Sequence, residues 1–309
     1  MAAPIHRSES PSGAAAIIGG VLTADAPTIA GLRAGDDVDG VFACARKDRL
    51  QARSGLPYLA LELRDRTGSI QARAFRDADL LAGRFERGDL VRVRGRVERF
   101  RDELQLEVRE IARTEGVDAA AFLPVAYRDL DELDGFLEHL AREVHDPAFA
   151  ALLQRLFADA SLRADWRRAP CTRGGHHAYL GGLLEHTVAV GTLALEACTL
   201  HPRLNSDLLL TAALVHDLGK TREFVYGAAI ELSEAGRLLG HVVLGQQLLE
   251  PFLAELDEER RLALLHCVLC HHGPDAAPGR RFGSVEALAL YRLNALDAGV
   301  KGALEHGLP

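Results

Sequence analysis

The sequence predicts two domains of different class, a small antiparallel β-barrel followed by an all-α domain. Three observations carry that prediction. From Gly40 to Ile111 apolar residues recur with a period of two, and beyond Gly116 they recur with a period near 3.6. The chain, at 309 residues, is long enough for two cores of about 150 residues each. The charges change at the same place. Residues 33–115 carry 18 basic side chains against 16 acidic, residues 116–309 carry 17 against 26, and nearly all of the 13 histidines lie in the second stretch. Two chemistries in two places are therefore expected.

The elements follow in order. Residues 1–32, with a Ser/Pro/Gly/Ala stretch, read as a loosely ordered segment. The barrel is expected over 33–115. Val38 to Ala45 opens it, and Leu59, Leu61 and Leu63 alternate with Ala60, Glu62 and Arg64. A turn at Asp65-Arg66-Thr67-Gly68 leads to Ile70, Ala72 and Ala74, which alternate with Gln71 and Arg73. After Arg87-Gly88-Asp89, Val91, Val93, Gly95 and Val97 alternate with Arg92, Arg94 and Arg96; Leu104, Leu106 and Val108 follow the polar turn at 101–103. Five short strands in so few residues suit closure, and an OB-fold is the natural candidate. Such a barrel binds single-stranded nucleic acid with cations along the backbone and aromatics under the bases. Arg64, Arg73, Arg92, Arg94 and Arg96 fall on the outward face, with Phe42, Tyr58 and Phe75 as stacking platforms. The plainer reading has the arginines merely solvated and the aromatics in the core.

Residues 116–170 read as a helical connector, with helices at Asp129 to Val144 and Pro147 to Asp159, the second opened by the cap and first-turn proline Asp146-Pro147. Over 171–309, further helices are expected at Leu180 to Leu200, Asp207 to Leu218, Arg237 to Leu256, Glu258 to His272 and Val285 to Ala298.

Composition narrows the class. With 48% hydrophobic and 26% charged residues and a mean hydropathy near zero, the chain reads as soluble and globular. No uninterrupted apolar run approaches the roughly 18 residues of a membrane span, and the first twenty residues hold no signal-like apolar core. Five scattered cysteines, an odd number, suit a reducing cytoplasm. No membrane partner is expected; a homo-oligomer remains open.

The helical half places polar residues on apolar faces. His186 lies between Leu183 and Val190, Asp217 shares a face with Leu210, Ala213 and Leu214, Asp297 one with Leu290 and Leu293, and His241 sits between Leu238 and Leu244. A carboxylate on an apolar face is expensive unless something positive meets it. Two such carboxylates with several histidines on separate helices point to a divalent cation, and imidazole mixed with carboxylate suits Mn, Fe, Zn or Mg. Cys267 and Cys270 with His271 spell a haem-attachment pattern, but on a continuous apolar helix they read as small core residues.

In order, His186, then His216-Asp217 within HDLGK, then Asp297 in ALDA resemble the HD-domain metallophosphohydrolases. The fold class then reads as an OB-fold followed by an all-α HD-type domain. The wider strings HHAYLGGLLEH (His176 to His186), HDLGK, GRLLGH (to His241) and HHG (from His271), behind an OB-like barrel, resemble the YhaM-type 3′→5′ exoribonucleases over about residues 35–300. Departures from that pattern are Asn294-Ala295 in place of an acidic pair, Tyr291 in place of a histidine, and the segment Pro274 to Phe282.

The resemblance implies metal-assisted phosphodiester hydrolysis of single-stranded RNA from its 3′ end, with single-stranded DNA open beside it. It implies one or two divalent ions, Mn foremost, with Fe, Mg, Zn or Co as alternatives. His186, His216, Asp217 and Asp297 would hold the first, and His241, His271 and His272, with Asp217 bridging, the second. Lys220 would neutralise phosphoryl charge or serve only as a helix C-terminal cation, while Arg237, His176 and His177 would contact phosphate. Arg64, Arg73, Tyr58 and Phe75 would bind the strand. Two other readings stand beside this one: an HD phosphohydrolase of nucleotides or cyclic dinucleotides with a regulatory barrel, and a non-catalytic nucleic-acid-binding protein with a structural metal site.

Overall fold

The computed structural model of the chain describes residues 17–18, 21–22, 27–52, 54–227 and 229–308. The chain divides into two compact units, one comprising the chain up to Leu123 together with Gly227–Ala229, the other Pro124–Tyr226 and Ile230–Pro309.

Most of residues 1–32, expected to be loosely ordered, lies outside the described residues. Within it β1 (Ile17–Ile18) pairs with β2 (Val21–Leu22). Ile29–Gly31 form a 3-10 turn, and Ile29 and Leu32 enter the barrel core, so the first domain begins ahead of residue 33. Asp65 makes that attachment. Its Oδ2 accepts from the Ile29 N–H at 2.7 Å, while Oδ1 accepts from the Thr67 N–H and hydroxyl, closing the turn read from the sequence.

The barrel comprises β3 (Asp37–Gln51), β4 (Pro57–Asp65), β5 (Gly68–Ala74), the short α1 (Ala78–Ala82), β6 (Leu90–Phe100) and β7 (Glu103–Arg113). It closes in the order β3-β4-β5-β7-β6, β6 returning to β3, with β5 and β7 parallel and all other pairs antiparallel. Bulges at Cys44/Arg46 and Arg94/Gly95 bend long strands enough to serve two neighbours. The alternation puts Leu59, Leu61, Leu63, Ile70, Val91, Val93, Val97, Leu106 and Ile111 inside. Phe42, expected among the stacking platforms, is a correction: it is completely buried in this core, where its ring can meet no base.

The second unit contains α2 (Leu130–Arg142), α3 (Pro147–Ala158), α4 (Ala160–Arg168), α5 (Gly182–Leu200), α6 (Ser206–Val215), α7 (Lys220–Glu223), the hairpin β8 (Phe224–Tyr226) and β9 (Ile230–Leu232), α8 (Glu234–Leu253), α9 (Glu258–Cys270) and α10 (Val285–His306). Asp129, Asp146, Asp159, Asn205, Ser233, Asp257 and Ser284 each cap a helix by accepting a backbone N–H, an interaction of about 1 kcal/mol apiece. The helices expected to form a connector over 116–170 instead bury Leu133, Leu137, Leu152, Leu156 and Trp166 in the same core as α5 and α6. Helix α5 is long and apolar enough to cross a bilayer by length and composition. Half of that stretch is buried inside the unit, where it packs on α2, α4, α6 and α10.

Helix α8 departs from the expected continuous helix of residues 237–256. It begins at Glu234, ends at Leu253, and is broken at Gly240 by φ 70°, ψ 163°. That left-handed φ costs glycine little and a residue with a Cβ more. The break re-aims His241 away from the face that unbroken periodicity would give it.

Candidate metal centre

Each histidine of the cluster is positioned by an ordinary feature of its element. Helix α6 is buried on every side, and His216 closes it. The His216 Nδ1 lies 2.8 Å from the Ala213 carbonyl, three residues back, so Nδ1 carries the proton and Nε2 faces the cluster. His271 repeats the device at the end of α9, with Nδ1 2.5 Å from the Val268 carbonyl. His241 follows the Gly240 break, and Glu223 lies 3.0 Å from its Nδ1 while accepting its backbone N–H. His186 projects from the second turn of α5, fully buried, with Nδ1 2.6 Å from Asp297 Oδ2. Four imidazoles thus turn Nε2 toward one point.

Asp217 occupies that point, only 2% exposed. Its Oδ2 lies 3.5 Å from Nε2 of both His186 and His216, and its Oδ1 lies 3.5 Å from Nε2 of His241 and 3.4 Å from that of His271. The His272 Nε2 is 2.8 Å from that of His241. Burial pushes the Asp217 carboxyl up, but the charge of Lys220 foremost holds it well below the carboxylate range. Burial holds His216 neutral, far below the usual imidazole range. Neutral imidazole and ionised carboxylate are the forms that bind metal.

The arrangement also leaves partners unmet. Asp217 Oδ1 and His271 Nε2 are both buried without a hydrogen bond. Orphaned polar atoms facing one another across a buried gap cost free energy unless a third group satisfies both. A divalent cation fits this donor set, and ligand atoms of Asp217, His241, His271 and His272 cluster closely enough to hold one; those of His186, His216 and Asp217 form a second group.

Asp297 stands apart from the sequence expectation. Its Oδ2 meets His186 Nδ1 and His177 Nε2, at 2.6 and 3.1 Å, and it clusters with those two residues and not with His216 and Asp217. Here it orients His186 from behind, the place a carboxylate takes when it supports a metal-bound imidazole. His177 also reaches the Tyr179 hydroxyl, which donates to Glu185. His176 lies at the edge, its Nε2 3.7 Å from the Cys171 sulfur; burial and then His186 push its pKa down to about 4. Lys220 opens α7 instead of ending a helix, with Nζ 3.8 Å from Asp217 and 4.0 Å from Glu223. Arg237 is exposed in the first turn of α8 and bonds to none of these residues. The departures have structural places: Asn294 is buried and donates to the His271 carbonyl, and Tyr291 packs on Phe282.

Sequence reasoning missed Cys171, Glu223, Tyr179 and Glu185. Glu223 stands three residues beyond Lys220 on one short helix, a spacing that could have flagged it; Cys171 sits in a loop, where no period speaks.

On the barrel, Tyr58 and Phe75 stack with ring centroids 5.4 Å apart. The Arg73 guanidinium lies over Tyr58 and over Phe100, at 5.7 and 5.1 Å from their centroids. Phe75 and Phe100 are about half exposed, so Phe100 joins the platform the sequence outlined. Arg64 is half-buried and its Nε has no hydrogen bond. Arg92 and Arg94 share Asp39, which takes them out of any free basic row.

Comparison with known proteins matches the same two regions. Residues 43–113 match the OB-fold nucleic acid binding domain, and residues 183–299 match the HD domain. A 3'-5' exoribonuclease YhaM of Shouchella clausii is 28% identical over 276 residues, covering 86% of this chain and 85% of that protein. The 3'-5' exoribonuclease YhaM of Bacillus subtilis is 29% identical over 270 residues, covering 85% of each. The chain is therefore an OB-fold–HD-domain protein, similar along most of its length to the YhaM 3'-5' exoribonucleases.

Proposed function

We propose that the protein is a metal-dependent 3′→5′ exoribonuclease that hydrolyses single-stranded RNA from its 3′ end and accepts single-stranded DNA by the same route. The observation that carries the reading is the Asp217 carboxylate, buried between two sets of imidazoles, one oxygen toward each. His186, His216 and Asp217 would hold one cation; His241, His271, His272 and the other oxygen of Asp217 would hold a second. Such cations supply Lewis-acid stabilisation of the phosphoryl oxygens and acidify water. The donors accept several divalent ions, and Mn²⁺ suits imidazole mixed with carboxylate.

The protein's own groups do the rest. Glu223 and Asp297 each hold an imidazole with Nε2 toward Asp217. Lys220 balances the buried negative charge of Asp217 and Glu223, which keeps both ionised. On the barrel, Tyr58, Phe75 and Phe100 offer faces to bases, and Arg73 a cation to the backbone. Five free thiols support a reducing cytoplasm as the place of action.

The test is a time course on 5′-labelled single-stranded RNA and DNA with Mn²⁺, run beside Asp217→Ala. A descending ladder that the substitution abolishes is expected. No shortening of either strand, together with turnover of nucleotides or cyclic dinucleotides, would replace this reading with a small-molecule phosphohydrolase.

A further inference from the structure

Four of the five cysteines are fully buried, and three of those four are accounted for by packing. Cys44 belongs to the barrel core, and Cys267 and Cys270 belong to the helical core among leucines and valines. Cys171 belongs to no apolar cluster, although none of its surface is exposed. It lies in the loop ahead of α5, its backbone N–H donating to the His177 carbonyl. Its sulfur is 3.7 Å from His176 Nε2 and 3.9 Å from Asp217 Oδ2, and it clusters with ligand atoms of His176 and His186. A small apolar filler would sit in hydrocarbon; this side chain faces imidazoles and a carboxylate.

The spacing has a further meaning. Around a tetrahedral zinc-like ion, with about 2.3 Å to sulfur and about 2.0 Å to nitrogen, neighbouring S and N donors stand about 3.5 Å apart. The observed 3.7 Å between the sulfur and His176 Nε2 is within a few tenths of that. Asp217 is itself 2% exposed and turns Oδ2 to the sulfur and to Nε2 of both His186 and His216, its unpartnered Oδ1 facing His241 and His271 instead. On the Oδ2 side the second sign, independent of the thiol, is that Nε2 of His186 and Nε2 of His216 face each other at 3.3 Å with each Nδ1 already given to Asp297 or to the Ala213 carbonyl.

We propose that Cys171 is a sulfur ligand to the ion on the Oδ2 side of Asp217, joining His176 and His186. The S–H proton leaves to solvent as the S–metal bond forms, and nothing is oxidised or reduced. The ligand set becomes mixed sulfur and nitrogen, which thiophilic ions such as Zn²⁺ and Co²⁺ bind more tightly than Mn²⁺ does, while Mn²⁺ still binds through imidazole and carboxylate.

The inference rests on the metal-centre reading, and cobalt separates the two. Full-length protein is loaded with Co²⁺ and its absorption recorded beside Cys171→Ser and Cys171→Ala. The visible d–d bands report that cobalt is bound; a near-ultraviolet charge-transfer band reports a sulfur–cobalt bond. The expected result is both features in the wild type, with loss of the charge-transfer band and retention of the d–d bands in both variants. Visible bands without charge transfer in the wild type would overturn the sulfur ligand and leave the metal centre standing. A charge-transfer band that survives both substitutions would assign it to another thiol and overturn the proposal equally. Absence of any cobalt band would overturn the metal centre together with it.

Discussion

Asp217 answers to two sets of imidazoles because its neighbours have already spent their other nitrogens. His216 and His271 give Nδ1 to carbonyls three residues back, and Glu223 occupies Nδ1 of His241. What remains on each ring is one nitrogen with one direction. Glu223→Gln keeps the shape of the support and removes its charge, and support of this kind is typically worth about 10- to 100-fold in metal affinity. We expect a loss of that size confined to one of two binding events in a calorimetric Mn²⁺ titration; an unchanged isotherm would deny Glu223 its role. Histidine and aspartate on apolar faces marked His186, Asp217, His241 and Asp297 in the sequence, and the resemblance added His271 and His272. The placement of Asp297 behind His186 was not legible. Its face was right, yet whether a carboxylate meets an ion or the back of a histidine depends on ring orientation, which no spacing encodes.

Two features at the scale of elements hold the centre in place. The first is the close passage of α8 over the HD turn, where a Cβ on Gly219 would stand 1.9 Å from the His241 carbonyl oxygen and 2.4 Å from the Gly245 nitrogen. Gly219→Ala must therefore push α8 away, an overpacking cost of about 1–3 kcal/mol, and carry His241 with it. A fall in melting temperature together with weaker metal binding is the expected outcome, and wild-type values for both would refute the contact. The second is the tie between α5 and α10 through Glu185, which accepts from the Tyr179 hydroxyl and from Lys301. Burial works against its ionised form, but His177, Tyr179 and Lys301 pull its pKa from the ordinary 4.5 down to about 2. A depressed carboxyl stabilises the fold above its ordinary pKa, and that contribution drains away as pH falls from about 4.5 toward about 2. Thermal melts across that window should fall more steeply for the wild type than for Glu185→Gln; parallel curves would contradict the tie. Elements with a long regular period were readable, as the five barrel strands and α5 show. Helix α4 was not, because only Leu162 and Trp166 are buried along its nine residues and Asp159 both ends α3 and caps its start. The hairpin β8–β9 has three-residue strands, too short for any period to register.

Over the whole molecule, the chain joins a barrel with an aromatic and arginine surface to a helical unit with a buried metal centre. The proposed division of labour has the barrel hold the strand and the helical unit cut it. Each stacked base contributes about 1–3 kcal/mol, so Tyr58→Ala with Phe75→Ala should weaken binding of long single strands by at least about 5-fold. Hydrolysis of a small phosphodiester should be untouched in that variant, and equal losses on both substrates would remove the barrel from substrate capture. The change of period at residue 116 announced two cores, but the helices just beyond it did not reveal that they belong to the second. Their apolar faces were plain in the sequence, whereas the partner of an apolar face is a tertiary fact. The central claim is that one carboxylate is shared by two cations, and the most direct measurement is the number of Mn²⁺ ions bound per chain in the wild type and in Asp217→Asn. Two ions in the wild type, both lost or severely weakened by that single substitution, are predicted; a single ion, or two that survive the loss of the Asp217 charge, would contradict the account.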